Sequence, residues 1–498
     1  MANDEILANL PEIFARARAA QQQWSVVPLQ KRARMLKLVR ENLLDAARTI
    51  EGLIVSETGK PANEALLNEI LPAAELLTFL SRSAGSVLKT QPIRLHLFKH
   101  YRSQIEYAPI GPVAVLSPWN YPLLLSLSTI ASAVVAGNAV IFKPSEYASG
   151  VGLAIQSLFD NSALPANLVQ TVLGGAAAGS AIIEHRPGKV FFTGGTENGR
   201  KVALLAAQHL IPAQMELGGK NPMIVLADAN LDYATSAALW GGFSNSGQMC
   251  ASTDRILVHE SIKARFVELL VQKIETLKQH PGKNFGHIVT EKQKASYRVQ
   301  LEDASKLGIF AVTGGTFSED GTRLAPTVLE GANIEKSLAY RDETFGPIVT
   351  VTTFRSTAEA VEKANDSTYG LSASIITRNI SLGARLASQL QVGTVTLNET
   401  AYTAGLAEAP WGGIKNSGWG ISRSERGLLE FVYTRHVHRP RFRWLTFKSP
   451  WWFPYTPFQH ETAACGLELY RRHWSDKLRV FPHFVWNLVQ FLKSERRL

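Results

Sequence analysis

Val113-Ala-Val-Leu-Ser117-Pro118-Trp119-Asn120-Tyr121-Pro122 is a short apolar run ending in a turn bracketed by prolines. The run reads as a buried strand, and the prolines make the turn too rigid for a simple loop. Leu123 to Ala136 is apolar enough for a buried helix, and Ala139-Val-Ile-Phe-Lys143 reads as a second strand. Strand, helix, strand is a parallel crossover unit, so an α/β fold is expected. Ligands of such sheets sit at the C-terminal ends of strands, where Asn120 and Lys143 both fall.

Before this unit, residues 4 to about 90 carry apolar side chains at helical spacing, such as Leu10, Ile13 and Phe14, and predict a helical cover. Ser103 to Tyr107 alternates and predicts an extended segment ending at Ala108-Pro109. After it, Val172-Leu-Gly-Gly ends a strand. Val190-Phe-Phe-Thr193-Gly194-Gly195-Thr196-Glu197-Asn198-Gly199 is a strand entering a glycine turn, with a helix predicted from Arg200 to His209. A glycine turn before a helix N-terminus is an anion site made of backbone N–H groups and the helix dipole. It is not the G-x-G-x-x-G dinucleotide fingerprint. Ile224-Val-Leu, Ile256-Leu-Val, Ile348 to Phe354 and Val392 to Asn398 predict further strands. Leu231 to Trp240 and Ile262 to Lys278 predict helices.

Phe243-Ser-Asn-Ser-Gly247-Gln248-Met-Cys250-Ala-Ser-Thr-Asp-Arg255 presents a thiol at the junction of two regular elements. Backbone N–H groups aimed at such a thiol lower its pKa and make it a nucleophile. The bland alternative is a buried structural cysteine. Against it stands Gln214-Met-Glu216-Leu217-Gly218-Gly219-Lys-Asn-Pro222, a carboxylate beside two glycines that let backbone approach a ligand while a base stays within reach.

These two stretches, 34 residues apart from Glu216 to Cys250, resemble the aldehyde dehydrogenase superfamily, and the likeness runs from about Ile6 to His438. It implies a Rossmann-type parallel-sheet cofactor domain (1–98 and 109–215, with 414–427) and an α/β catalytic domain (216–413). A β oligomerisation arm (99–108 and 428–439) and an added C-terminal extension (440–498) complete the expected division. The resemblance makes Cys250 the nucleophile, Glu216 the general base and Asn120, with the Cys250 N–H, the oxyanion donor. Lys143 and Glu146 would bind the adenosine ribose of a nicotinamide dinucleotide, although a solvated ion pair, worth at most about 1 kcal/mol, explains them equally well. Gly194, Gly195, Thr196 and Gly199 form the phosphate turn, Glu343 and Phe345 hold the nicotinamide side, and Trp119 and Leu217 complete the cofactor set. Many relatives carry Ser or Asn where this chain has Gly195, which removes a contact to phosphate. Trp411 replaces the commoner Phe, and Asn398 falls on a family position near the site. The carboxylate of Glu146 repels a 2′-phosphate, so NAD is expected over NADP, although some relatives with this glutamate accept both. Glu216 favours a free acid product over an acyl-coenzyme A.

With 45% apolar and 19% charged residues over 498 positions, the composition is that of a globular protein of two or three domains. Two cysteines, Cys250 and Cys465, exclude a disulfide framework and a Cys-based metal site. The twelve histidines lack metal-ligand spacing, so no metal is expected. The N-terminus lacks the pattern of a secretory signal, and no apolar window suits a membrane span. A reducing, cytoplasmic setting follows.

Net charge is +10, of which +7 comes from Arg439 to Leu498, where eleven Lys or Arg face four Asp or Glu. A nucleic-acid binder would stripe its charge over a folded domain, so no nucleic-acid partner is expected. The extension holds fourteen aromatics in its 59 residues, Trp444, Trp451, Trp452, Trp474 and Trp486 among them. They are interleaved with Arg441, Arg443, Lys448, Arg471, Arg472, Lys477 and Arg479. Aromatics beside cations suit a membrane interface, and a short apolar helix from Phe484 to Leu492, followed by Lys493, Arg496 and Arg497, suits its surface. The alternative is packing on a partner subunit or over the substrate entrance. The leader, the Pro-Trp-Asn-Tyr-Pro turn and the early nucleophile resemble the class 3 and fatty aldehyde branch, implying a homodimer acting on a medium- or long-chain, aromatic or isoprenoid aldehyde. The rival expectation is a catalytically idle relative serving as a membrane scaffold.

Overall fold

A computed structural model of the chain describes residues 2–96, 98–278, 284–442, 452–453, 455–471 and 473–495. The basic and aromatic positions Arg443, Trp444, Lys448, Trp451, Arg472, Arg496 and Arg497 lie outside the described residues. The chain divides into two compact units, residues 1–89 with 107–434, and residues 90–106 with 435–498.

The first unit is built on two sheets. The six-stranded sheet runs Gly418–Trp419, Ala213–Glu216, Lys189–Thr193, Val113–Leu116, Val140–Lys143 and Val169–Thr171. Its five longer strands are mutually parallel, and only Gly418–Trp419 runs against its neighbour. The chain leaves Val113–Leu116 toward one edge and later returns to its other side, so a topological switch point lies beyond Leu116 and Phe192, where such sheets bind ligands. Register brings the site together: Leu116 pairs with Lys143, and Thr193 with Glu216, so Asn120, Lys143, Gly194 and Glu216 all leave from one end of the sheet. The predicted crossover helix is Pro122–Ala136; it is buried on nearly every face and stops at Gly137, whose φ of +105° is one that side-chain-bearing residues rarely adopt. Helices Leu29–Asp45 and Leu71–Val87 cover this sheet through Leu36, Val39, Leu43, Leu76 and Leu80.

The seven-stranded sheet runs Phe310–Thr313, Thr327–Glu330, Ile348–Phe354, Thr253–His259, Asn221–Val225, Ser372–Ile376 and Thr394–Leu397. It is parallel except at the Phe310–Thr313 edge. Its middle strands are buried along nearly their whole length, as parallel strands covered on both faces must be.

In the second unit, Gln91–Ile93, Tyr101–Pro109 and Val432–Pro440 form a three-stranded sheet, the first antiparallel to the second. Two readings shift here. Leu428, expected in the arm, belongs to the short helix Ser424–Leu429 and is buried in the first unit's core, with the strand starting only at Val432. Gln91–Ile93, just past the helical stretch and expected within the cofactor domain, pairs as a strand with the arm. Farther on, Pro457–Glu468 and Trp474–Glu495 are two packed helices. The second is 22 residues long, where the sequence suggested a short helix from Phe484. Its Asn487 and Phe491 turn inward, while Trp474, Leu478, Phe481 and Trp486 are each more than half exposed. Among the described residues no helix is long and apolar enough to cross a membrane.

Candidate active site

Cys250 lies between helix Leu231–Phe243 with its appended 3-10 turn and strand Thr253–His259, the junction expected from the sequence. The approach is strained: Asn245, Ser246 and Gly247 hold left-handed φ of 52°, 56° and 70° in succession. Such conformations persist only where their surroundings over-determine them. Here Glu64 accepts the Asn245 N–H at 2.8 Å, and the Asn245 side-chain amide donates to the carbonyls of Asn120 and Gln248, both at 3.1 Å. Gln248 then ties the turn down by donating to His287 O at 2.9 Å and accepting from Val289 N at 3.0 Å. Asn221 Nδ2 donates to Cys250 O at 2.8 Å and fixes the nucleophile's own backbone.

All thirteen predicted site residues except Thr196 and Gly199 line one cleft, with Cys250, Glu216 and Asn120 together in its wall. Trp119 meets Phe345 edge-to-face, with ring centroids 5.5 Å apart. Lys143 Nζ donates to Pro144 O and Gly174 O at 2.9 Å and lies 3.9 Å from the exposed Glu146 carboxylate. Helix Thr196–Gln208 starts four residues earlier than the predicted Arg200, so Thr196 and Gly199 belong to its first turn. Gly199 faces Leu217, where an added Cβ would come within 2.4 Å of a leucine methyl, and Thr196 Oγ1 donates to Asn416 O at 3.3 Å. Gly195 caps this helix with open space around it. Asn398 lines neither this cleft nor its neighbour; its side chain accepts Thr377 N at 2.9 Å.

The cleft suits a dinucleotide by its own chemistry. A helix N-terminus with an unobstructed glycine cap can receive a diphosphate. Gly218 leaves bare backbone against Glu343, whose carboxylate oxygen would lie 2.1 Å from any Cβ there, and the Gly219 N–H donates to the same carboxylate at 3.2 Å. Lys143 and Glu146 at a strand end match sugar hydroxyls. Among the described residues no group of three or more His, Cys, Asp or Glu is placed to hold a metal ion.

Electrostatics overturns one expectation. The Cys250 thiol is not made acidic by its surroundings: burial, then the carboxylates of Glu216 and Glu343, push it up to about 12, against the lowering pull of Arg423 and the Ala251 N–H. Short-range N–H groups are outweighed here by desolvation, which penalises the thiolate. Burial also raises Glu216, opposed by Ser422, Arg423 and Gln214, and it lifts Glu343 to about 7 with help from Asp254.

Three features escaped the sequence. Lys60 and Glu69, fully buried, pair at 2.6 Å, and Lys60 Nζ also donates to Asn120 O at 2.9 Å, so an ion pair braces the turn that carries Asn120. The Gly59-Lys60-Pro61 break was the only local hint. A second, mainly apolar pocket is lined by Leu67, Leu124, Trp240, Met249, Tyr402 and Trp411. Cys250 lines both cavities, so the thiol stands where they meet. Arg423, also in the second pocket's wall, was hidden in an ordinary polar stretch.

The fold and its cleft define an α/β enzyme whose parallel sheets converge on a cysteine. Residues 7–437 match the Aldehyde dehydrogenase family. The chain is 39% identical over 467 residues to a 4,4'-diapolycopene aldehyde oxidase from Methylomonas sp, covering 93% of this chain and 87% of that protein. It is 34% identical over 442 residues to the peroxisomal aminoaldehyde dehydrogenase 1 of Pisum sativum, covering 86% of each. Among solved structures, a betaine aldehyde dehydrogenase point mutant from Staphylococcus aureus in complex with NAD+ superposes with a TM-score of 0.84 at 27% identity, covering 90% of this chain and 91% of that one. The chain belongs to the aldehyde dehydrogenase family.

Proposed function

We propose that the chain oxidises an apolar aldehyde, of medium or long chain or isoprenoid, to the carboxylic acid, with Cys250 as nucleophile, Glu216 as general base and NAD as the preferred cofactor. The observation that carries the reading is Cys250 at the meeting of the long cleft that holds Lys143, Glu146, Gly195 and Glu343 and a smaller, mainly apolar pocket. An aldehyde entering by the apolar side reaches the sulfur with its chain among Leu67, Leu124, Tyr402 and Trp411. Exposed Leu67, Trp240 and Tyr402 extend that apolar character outward. The diapolycopene aldehyde oxidase, whose name gives an isoprenoid aldehyde, supports the same class.

Sulfur adds to the carbonyl carbon, and the oxygen takes the negative charge. The Asn120 amide, which donates to Gln248 O at 3.1 Å, has a second N–H for that oxyanion, beside the Cys250 backbone N–H. A bound nicotinamide supplies the hydride acceptor that leaves a thioester on Cys250; Lys143, Glu146, Gly195, Glu343, Trp119 and Phe345 would hold it. Glu216, raised by burial, then takes a proton from water as water attacks the thioester, releasing the acid and restoring the thiol.

The C-terminal helix supports peripheral membrane contact: Trp474, Leu478, Phe481 and Trp486 are exposed on the helix that also carries Lys477, Arg479 and Lys493. A membrane-held apolar aldehyde would then be delivered where it partitions. A homodimer through the three-stranded arm completes the proposal.

The test follows NADH absorbance with saturated aldehydes of increasing length, one aromatic and one isoprenoid aldehyde, with Cys250→Ala as control. Turnover rising with apolar length and absent in the variant is expected. Folded protein with no turnover on any of them would instead favour the idle scaffold. Cosedimentation with anionic vesicles, lost in Trp474→Ser/Leu478→Ser/Phe481→Ser, checks the membrane contact separately.

A further inference from the structure

Arg423 is 6% exposed, yet its Nη1 has no hydrogen-bond partner among the described residues. Its backbone sits at φ +59°, a conformation a side-chain-bearing residue adopts only under constraint. It is the only permanently charged side chain among the described residues lining the apolar pocket, and Cys250 lines that pocket with it. Burying a guanidinium without a full set of acceptors costs several kcal/mol. Arg32 in the helical cover is another buried arginine with nitrogens unpartnered among the described residues, but it lines neither cavity, whereas Arg423 shares one with Cys250. Arg255 shows the contrast: it is more deeply buried still, and its guanidinium donates to the carbonyls of Lys220, Lys363, Ala364 and Asp366. Arg423 is a buried cation held in reserve.

We propose that Arg423 is the charge partner of the Cys250 thiolate, its free N–H kept for the sulfur when the thiol gives up its proton. The inference rests on the nucleophilic role read for Cys250. The charged and titratable groups around that sulfur are Glu216 on strand Ala213–Glu216, Glu343 ahead of strand Ile348–Phe354, Tyr121 at the start of helix Pro122–Ala136, and Arg423. Glu64 and Glu69 lie behind Tyr121. All the carboxylates oppose the thiolate, and Arg423 is the one cation among these groups. Arg423 also faces Glu216. Proton transfer from Cys250 to the Glu216 carboxylate therefore balances: an S–H bond breaks, an O–H bond forms, one negative charge moves from carboxylate to sulfur, and Glu216 gives that proton up to solvent before it serves as base toward the hydrolytic water. Lys60, 3.8 Å over the Tyr121 ring, is the other cation nearby, but its charge is paired with Glu69 at 2.6 Å.

The test reads the thiol rather than turnover. Alkylation of Cys250 by iodoacetamide is followed against pH by peptide mass spectrometry, which separates it from Cys465, in the wild type and in Arg423→Met, Arg423→Gln and Arg423→Lys. The expected result is alkylation about tenfold slower across the neutral to alkaline range in the Met and Gln variants, and recovery toward wild type in Lys. If Met does not fold, Gln and Lys carry the comparison. Folded Met or Gln variants with the wild-type profile would overturn the proposal. So would a rise in KM confined to an ω-carboxylated aldehyde with the thiol profile unmoved, which would make Arg423 a reader of substrate charge. Failure of the aldehyde oxidation itself shows differently, as a thiol that titrates as expected beside an enzyme that does not turn over.

Discussion

The pair Lys60–Glu69 offers the sharpest test of what holds the site in place. Both side chains are fully buried, 2.6 Å apart, and each has other duties. Lys60 donates to Asn120 O and lies 3.8 Å above the Tyr121 ring, while Glu69 accepts Leu123 N at 2.9 Å and so caps helix Pro122–Ala136, which has no side-chain N-cap of its own. Lys60→Met strands a carboxylate, and Glu69→Gln strands an ammonium; breaking a buried pair from one side costs about 3–5 kcal/mol. A 498-residue chain carries an unfolding entropy near 1 kcal/mol/K, at about 2 cal/mol/K per residue. Each single substitution should therefore lower Tm by about 3–5 °C. The double variant removes both charges, keeps the smaller losses of the cap and of the Lys60 contacts to Asn120 and Tyr121, each about 1 kcal/mol, and should melt no lower than either single. Tryptophan fluorescence at one scan rate measures all four proteins. Single shifts under about 1 °C, or a double shift equal to the sum of the singles, would refute the reasoning.

Three further outcomes follow from the cleft. Gly195→Ser fits the open space at the cap of helix Thr196–Gln208 and adds an acceptor for the helix N–H groups; NAD titration should show a several-fold lower KM for the cofactor, with Tm unchanged or raised by about a degree. Gly218→Ala puts a methyl 2.1 Å from Glu343 Oε2; the carboxylate must move, so cofactor KM should rise while thermal stability changes little. Glu343, lifted from its ordinary 4.5 to about 7 by burial, holds its proton more tightly in the folded chain, so its contribution is complete below pH 4.5 and is lost as pH rises through 7. Glu343→Gln cannot lose that proton, so its Tm should gain on the wild type from pH 5 to 8, and a constant difference would contradict the buried assignment.

The sequence made legible what lies in short range of a strand end. Asn120, Lys143, Gly194 and Glu216 were readable because a parallel sheet delivers its strand ends to one edge, and the register of Leu116 with Lys143 and of Thr193 with Glu216 does so. The start of helix Thr196–Gln208 was misjudged because Thr196-Glu197-Asn198-Gly199 has the composition of a turn. Its helical state depends on Gly199 meeting Leu217, a tertiary contact. Gln91–Ile93 is too short to alternate visibly and exists through its pairing with Ser103–Ile105.

What stayed hidden was charge. The acidity expected of Cys250 came from the backbone beside it, but its state is set first by burial and then by Glu216, Glu343 and Arg423, brought in from elements distant in the chain. No local pattern distinguishes a lysine or arginine that will be buried from one that stays in water, because either stem can lie along apolar surface with its head solvated. Lys60 and Arg423 show why the distinction matters. Lys60 is satisfied by Glu69, Asn120 and Tyr121, so its charge is spent on holding the turn. Arg423 lines the pocket that Cys250 lines and has a buried Nη1 without a partner among the described residues, which is the basis for proposing its charge as available to the chemistry. Arg32 in the helical cover also has unpartnered nitrogens, so missing acceptors alone do not mark chemistry; what sets Arg423 apart is that the pocket it lines is the one that holds the nucleophile.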